Sequence, residues 1–455
     1  MSMSTCQVLV TKRPARVVYA TSALIKSLSL KPGKTIRMMF GKAEATVTLR
    51  RIKKTGSKLY IPLLVKNQLL LPYTGTFQTK TSGNGTLRIG PLFGIMTTTK
   101  EASASPFGTR TPLIRQFVAN GNQAGTCFAF SPKHVNWANR TVTGHFYSAG
   151  RGWYTRKVPL PDVAYNRMPS RRAEKSANME SVKYRLTHAG IALFNWSFFE
   201  KWDVYRMLEP VADAYKHVPQ SILNPSPSQL KSMLDNHDFV YLKPTGGSLG
   251  KGIYRLTYKP RKGYFVRYRV TGRNRVLRFA KFSGLTRMIG IDKGRLRNYV
   301  AQQGIRLLEI DGCPIDFRFH LTKNGKGRWT VAGVGCKKAG KGSVTTHVRT
   351  GGQLMTPGQA LGRLYSSSRA KELLDKANSV SIQLAEAIER QYNHPVGELG
   401  FDLGIDKEGR IWMFEANAKP GRSIYKHPAL KNEGRATMKL LFDYCTYLSG
   451  FGGDA

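Results

Sequence analysis

The segment from Phe401 to Asn417, FDLGIDKEGRIWMFEAN, constrains the fold most. Apolar and polar residues alternate on both sides of a short turn, the pattern of a β-hairpin with one buried face. With residues 407–410 as the loop, Asp406 faces Ile411 and Asp402 faces Glu415. Directly opposed residues have Cβ atoms about 5 Å apart on one face of a sheet. Asn417 lies two residues beyond Glu415 and points the same way. Two opposed carboxylates repel unless a cation or a proton lies between them. With an amide oxygen beside them they suit a hard cation such as Mg²⁺. A pair of solvated surface acids would read the same way, and a one-residue shift of register would part the two side chains.

A second segment, Phe239–Ile253, runs FVYLKPTGGSLGKGI. A strand delivers Lys243, a glycine-rich turn follows, and an alternating strand leaves through Tyr254, Leu256 and Tyr258. Glycines let backbone N–H groups approach a phosphate, and a lysine neutralises its charge. The segment is not a Walker A loop, which needs Gly at 245 and Ser or Thr at 252, where this chain has Thr245 and Gly252. Alone, it is also an ordinary hairpin with a flexible turn. Further on, Tyr299–Ile305 is an apolar strand ending in Gln302, Gln303 and Gly304, suited to hydrogen-bond a purine edge through its backbone. Asp316, Arg318 and His320 share one face of the next strand. Arg318 can bind phosphate through its planar fork or form a structural ion pair. The stretch from Lys337 to Gly352 is flexible and rich in glycine and hydroxyls, suited to closing over a phosphate.

Around these segments the chain divides into three regions. Residues 1–87 read as short strands (Gln7–Val10, Thr35–Phe40, Ala45–Arg50, Leu59–Leu64) with glycine turns, a small β-barrel. Residues 88–200 alternate strand and helix: strands at Leu87–Met96, Thr126–Ser131 and Pro159–Tyr165, a helix at Leu113–Asn122, and aromatic pieces at His145–Tyr147 and Gly152–Tyr154. Residues 201–455 are mixed α+β, with helices at Lys371–Tyr392 and Ala436–Leu448. No internal repeat is evident. Apolar runs fall far short of the ~20 residues of a membrane helix, the N-terminus does not read as a secretory signal, and five scattered cysteines point to free thiols in a reducing cytoplasm.

The net charge of +45 draws polyanions. Residues 1–86 hold 15 Lys/Arg against Glu44, and residues 255–306 hold 15 against Asp292. No zinc finger, RNA-recognition motif or basic tail accompanies the charge, so specific nucleic-acid binding is not expected. No Ser-His-Asp or Cys-His arrangement stands out either.

In this order the motifs resemble the ATP-grasp superfamily, and within it the YheC/YheD-like family of endospore-forming bacteria. The resemblance extends from about residue 88 to the C-terminus. It is carried by Gly90–Ile95, Pro161–Arg167, Leu193-Phe194-Asn195 with Lys201-Trp202, Tyr241–Ile253 and Gly400–Gly421. It implies an ATP-grasp domain over 201–455 with a hinge near 300–305, preceded by a pre-ATP-grasp domain over 88–200. It implies ATP held by Lys243, by a lid of Gly246, Gly247, Ser248, Gly250 and Gly252, and by Gln302 and Gln303 near the adenine. The ribose contact would be Glu309 or Asp311, and Glu309 is the expectation adopted here. Arg318 would face the transferred phosphate or the substrate carboxylate, with Arg318 and Lys243 as the catalytic pair. Asp402, Glu415 and Asn417 would bind Mg²⁺, and Asn166, Arg167, Arg171 and Arg172 would contact substrate. The implied activity is carboxylate–amine ligation through an acyl phosphate, on an anionic acid, in spore coat formation. The alternative is a coat scaffold or polyanion-binding protein with a non-catalytic ATP site. One departure is His347, where relatives commonly carry Asn after Thr.

Overall fold

A computed structural model describes the chain except for residues 1, 13–14, 83–84, 101–103, 247–251, 271–272, 292–293, 344–350 and 453–455. The first region closes into a barrel of seven strands: β1 (Ser2–Thr11), β2 (Val17–Thr21), β3 (Thr35–Phe40), β4 (Ala43–Ile52), β5 (Lys58–Pro62), β6 (Gly75–Thr81) and β7 (Thr86–Gly90). Short helices α1 (Ser22–Ser27) and α2 (Leu63–Gln68) follow β2 and β5.

This barrel contains a repeat that the sequence reading missed. Strand, short helix and hairpin occur twice, with Tyr19, Leu24, Leu28 and Ser29 matched by Tyr60, Val65, Leu69 and Leu70. Leu24, Leu28, Val65 and Leu69 are all buried. Ser29 and Leu70 share the left-handed backbone, with φ of 50° and 52°. Their neighbours repeat one capping bond, Leu30 N–H to Ile25 O and Leu71 N–H to Lys66 O. Tyr19 lies directly opposite Tyr60 where β2 pairs antiparallel with β5, so equivalent residues meet at a pseudo-two-fold axis. The repeat preserves burial and backbone shape rather than residue identity, which is why it is hidden in the letters.

Pro91 splits the strand expected over Leu87–Met96. Its first part is β7 of the barrel, and its second, β8 (Leu92–Met96), enters another sheet. There β8 pairs in parallel with β9 (Thr126–Phe130) and β13 (Val163–Asn166), and β14 (Ala192–Phe194) extends the parallel part. Strands β10 (Val135–Asn136), β11 (Thr141–Ser148) and β12 (Gly152–Pro159) complete it. The aromatic pieces form the β11–β12 hairpin, with Phe146 opposite Tyr154 and Tyr147 opposite Trp153. Both faces of β8 and β9 are buried, as parallel strands require. One face joins the barrel core and the other packs on α3 (Thr111–Ala124) and the C-terminal helix. Helices α4 (Arg171–Glu174) and α5 (Ala177–His188) connect β13 to β14.

The last region holds two sheets. The first has the order β15 (Ser221–Leu223), β20 (Tyr299–Gln303), β16 (Val240–Pro244), β17 (Tyr254–Lys259), β18 (Gly263–Val270) and β19 (Arg273–Phe279). Its apolar face packs on α8 (Pro227–Asn236) and α9 (Phe282–Ile289). The second has the order β24 (Gln353–Met355), β23 (Trp329–Lys338), β22 (Cys313–Lys323), β25 (Glu398–Ile405) and β26 (Ile411–Asn417), with β21 (Glu309–Ile310) on β22. It packs on α6 (Lys201–Leu208), α7 (Ala212–Tyr215), α10 (Pro357–Leu361) and α11 (Ser367–Gln391), and α12 (Lys431–Leu448) closes the chain against α3. All five cysteines are free and buried, and no helix among the described residues is long and apolar enough to cross a membrane.

Asn195 ties the second region to the third. Its φ of 57° is one that asparagine tolerates better than most residues. Its amide donates to the carbonyls of Glu398 (2.7 Å) and Ala418 and accepts from the N–H groups of Gly397 (2.9 Å) and Glu398 (3.2 Å). Asn195→Ala leaves these enclosed backbone groups unpaired. The expected loss is about 3 kcal/mol of stability, read from urea unfolding followed by hydrogen exchange at residues 397–399. Unchanged protection there would contradict this role.

Candidate functional site

The two C-terminal sheets face each other across a cavity of about 740 Å³. Strands β16 and β17 supply Tyr241, Lys243, Arg255 and Thr257 on one side, while Asp316, Lys337, Asp402 and Glu415 stand on the other.

Asp402 does stand opposite Glu415, but by a different route from the one expected. Near the turn Ile405, not Asp406, pairs with Ile411. The register then shifts between Asp402 and Leu403, because Phe414 is an extra residue in β26. Such a bulge re-aims neighbouring side chains. Phe414 and Glu415 accordingly both line the cavity. Asp406 instead caps its own turn, accepting from the N–H groups of Glu408 and Arg410 and from Trp412 Nε1.

On its other side Asp402 lies opposite Arg318. Arg318 Nε and Nη2 donate to its two oxygens at 2.7 Å each, and Lys337 Nζ adds a third bond at 2.8 Å. Burial opposes ionisation of Asp402, but Arg318 and Lys337 outweigh it and hold the carboxyl far below the ordinary range. Lys337 also reaches Asp316 at 3.3 Å. Glu415 is less enclosed, its side chain 29% exposed, with Lys201 at 3.6 Å. Asn417 lies opposite Gly400 on the same face as Glu415, outside the cavity lining.

Two carboxylates and an amide offer hard oxygens of the kind Mg²⁺ prefers. Among the described residues no group of three or more His, Cys, Asp or Glu side chains forms a metal cluster. Three donors already occupy Asp402, so Glu415 is the less engaged of this opposed pair at the cavity wall.

Lys243 sits between the rings of Tyr241 and Phe414, 5.4 and 5.6 Å from their centroids. Its ammonium donates to Gln302 Oε1 at 2.5 Å, and Gln302 is steadied by Tyr205 (2.7 Å) and Ser221 (3.1 Å). Gln303, the next residue of β20, faces the other way and accepts from the Gln220 N–H at 3.2 Å. Glu309 lines the cavity, whereas Asp311 pairs with Lys338 outside it. Gly246 is exposed at the end of β16, and Gly252 has a φ of 71°. Gly247, Ser248, Gly250 and His347 lie outside the described residues.

Of the expected substrate contacts, Asn166 and Arg167 are buried. Asn166 binds Glu174 and the Trp196 carbonyl, both at 2.8 Å. Arg171 donates to the Phe199 carbonyl at 2.7 Å, and Arg172 is exposed. The sequence reading named Lys201 among the residues that carry the resemblance but gave it no role in the site, because it opens a helix and breaks no strand pattern. The same reading passed over Glu398, which sits in a Gly/Pro-rich stretch without alternation.

Burial, and then the charge of Lys201, bring the Lys243 pKa from its ordinary 10.5 down to about 8. The unfolded chain therefore binds more protons between about pH 8 and 10.5, so this group makes stability rise with pH across that window. Below it the unfavourable contribution is constant. Lys243→Met should raise stability by about 1 kcal/mol at pH 7, with the gain shrinking toward pH 10.5. Denaturant midpoints of both proteins across this range measure it, and a gain that grows with pH would refute the assignment.

The chain matches the model of the YheC/D-like ATP-grasp family over residues 190–448. It is 35% identical over 389 residues to the endospore coat-associated protein YheD of Bacillus subtilis (strain 168), covering 84% of each chain. Identity to YheC of the same organism is 24% over 299 residues, covering 65% of this chain and 80% of that one. Among solved structures, the VanG D-Ala:D-Ser ligase from Enterococcus faecalis aligns over 79% of this chain and 99% of its own, at 11% identity and a TM-score of 0.45.

Proposed function

The chain belongs to the YheC/YheD-like ATP-grasp family, and from that premise we propose that it is an ATP-dependent ligase serving the spore coat. It activates a carboxylate as an acyl phosphate, which an amine or another nucleophile then captures. The observation that carries this reading is the cavity, with lysines on both walls and a carboxylate opening into it.

In this reading the cavity holds the nucleotide. Lys243 and Lys201 neutralise phosphate oxygens, and Glu309 meets the ribose. By the family resemblance the segment from Gly246 to Gly252 would cover the phosphates, and Gln302, within the hinge near 300–305, holds Lys243 in place. Glu415, with Asp402 and Asn417 beside it, would hold Mg²⁺, which supplies charge neutralisation of the triphosphate. Asp402 orients Arg318 through Nε and Nη2, so Nη1 is the nitrogen left beside Gly400, 3.5 Å from where a Cβ would stand. That nitrogen faces the phosphoryl group in transfer. A substrate carboxylate oxygen bonds to the γ-phosphorus as the bond to the β–γ bridging oxygen breaks, and ADP leaves. The nucleophile then attacks the acyl carbon and expels phosphate. No side chain is covalently modified, and the residues act by positioning and by stabilising charge.

A coat-associated scaffold with a non-catalytic nucleotide site is the competing reading. The closure of Asp402 by Arg318 and Lys337 favours it. One experiment separates the two. ADP release is measured with panels of acids and amines for the wild type, Lys243→Ala and Glu415→Ala. Turnover should fall by roughly 100-fold or more in each variant. Substrate-dependent turnover untouched by Glu415→Ala would remove the ligase reading, and nucleotide binding without turnover on any panel would favour the scaffold.

A further inference from the structure

A second concentration of charge lies away from the cavity, where residues 88–200 meet the loop after β26. Arg110, Arg167, Lys419 and Arg422 converge there around two carboxylates, Glu174 and Glu398. The Arg167, Lys419 and Arg422 side chains are only 5%, 2% and 8% exposed. Glu398 accepts from His320 Nε2 (2.7 Å), Arg422 Nη1 (2.9 Å) and the Tyr165 hydroxyl, with Arg167 Nη1 at 3.5 Å. Lys419 pairs with Glu174. Arg110 donates to the Arg167 carbonyl (2.9 Å) and to Thr97 Oγ1 (3.1 Å), and makes no ion pair with either acid. The Arg167 and Arg422 guanidinium carbons lie 5.5 and 5.8 Å from the centroid of the Phe117 ring. Burial, opposed by Glu398, takes the His320 pKa down to about 4, so at neutral pH it adds no charge.

Three arginines and Lys419, whose pKa burial and then the charges of Arg167 and Arg110 push well below its ordinary value, thus stand beside two carboxylates in a largely dry place. Such an excess is costly unless an anion joins it. A second observation marks where the anion belongs. Arg167 is 4% exposed, yet its Nε has no hydrogen-bond partner, and its Nη atoms reach only the Pro420 carbonyl at 3.4 Å besides Tyr165 and Glu398. Buried donors are rarely left this way. Gly421, which follows Pro420, is exposed, and a Cβ built on it meets nothing within 4 Å.

We propose that Arg110, Arg167, Lys419 and Arg422 bind a carboxylate of the ligase substrate other than the one that is phosphorylated, so that the acid is a diacid or an acidic peptide segment. This rests on the ligase reading above. The distance suits it. Arg318 and Pro420 approach the same point, the missing side chain of Gly400, at 3.5 and 2.6 Å from its Cβ position. Same-face positions along a strand are about 7 Å apart, so the step along β25 from Gly400 to Glu398 is one that a short diacid can span.

The test uses glutarate as the probe, titrated calorimetrically into the full chain without nucleotide, with acetate and inorganic phosphate in parallel. Glutarate should bind in preference to both. Arg110→Gln and Lys419→Met should each weaken it about tenfold, the worth of one charged hydrogen bond. Lys243→Ala should leave it unchanged. Arg110 is half-buried and makes no ion pair with the cluster's acids, so its variant avoids the folding risk of cutting Arg422 from Glu398. Absence of glutarate binding, equal binding of phosphate or acetate, or indifference of both variants would overturn the proposal. Failure of the ligase reading is visible separately, as absence of ADP release on every acid and amine panel in the wild type with glutarate binding intact, and that result overturns the substrate role.

Discussion

One row of residues across the last sheet organises the site. Arg318, Asp402 and Glu415 sit side by side on β22, β25 and β26. The central carboxylate is shared between a guanidinium on one flank and a second carboxylate on the other. Asp402 cannot leave this row without stranding Arg318, since two of its three guanidinium nitrogens are committed there. The row therefore fixes the direction in which Arg318 presents Nη1. It also sets how near Glu415 stands to a second negative charge. Breaking a buried pair of this kind leaves an uncompensated charge, which costs far more than the pair contributes when intact.

The bulge at Phe414 decides which residue completes the row. Counted back from the turn without it, Met413 would occupy the register next to Leu403 and Phe414 would oppose Asp402. The extra residue moves Glu415 into line. It also brings the Phe414 ring into the cavity, where Lys243 lies against it. A single insertion thus supplies both the second acid on one wall and an apolar face for the cation of the other. A cation so placed is depressed in pKa by burial and by Lys201, and such perturbation is common where a protein is arranged to meet an anion.

How much of this was legible follows from what each signal rests on. The Asp402–Glu415 opposition was readable because two compensating errors, the loop length and the unseen bulge, cancel at that position and not at Asp406. Lys243 stood out because it ends a strand just before a glycine-rich turn, although an ordinary hairpin with a flexible turn has the same letters. Gln302 and Gln303 looked equivalent as letters, and strand alternation sends only the first toward Lys243. Glu398 was invisible. Its meaning comes from Tyr165, Arg167, His320 and Arg422, which arrive from separate segments and meet only on folding. The barrel repeat escaped for a related reason. Leu24 and Val65 fill the same volume, and Ser29 and Leu70 hold the same backbone, without sharing a letter.

Glu398 and Asp402 also belong to one strand face, two same-face steps apart, with Gly400 between them. Each is an engaged carboxylate held below its ordinary range against burial, Glu398 by His320 and then Arg167 and Arg422, and Asp402 by Arg318 and Lys337. Asn195 grips the backbone of β25 at Glu398, and the row across the sheet grips it at Asp402. The interval between the two charge centres is therefore set by strand geometry rather than by flexible side chains. A slip of β25 by one residue would turn both acids to the opposite face together, leaving Arg318, Arg422 and Arg167 unpaired at once. The cost of stranding three buried guanidinium groups is what holds this register, and with it the spacing between the cavity and the cationic cluster.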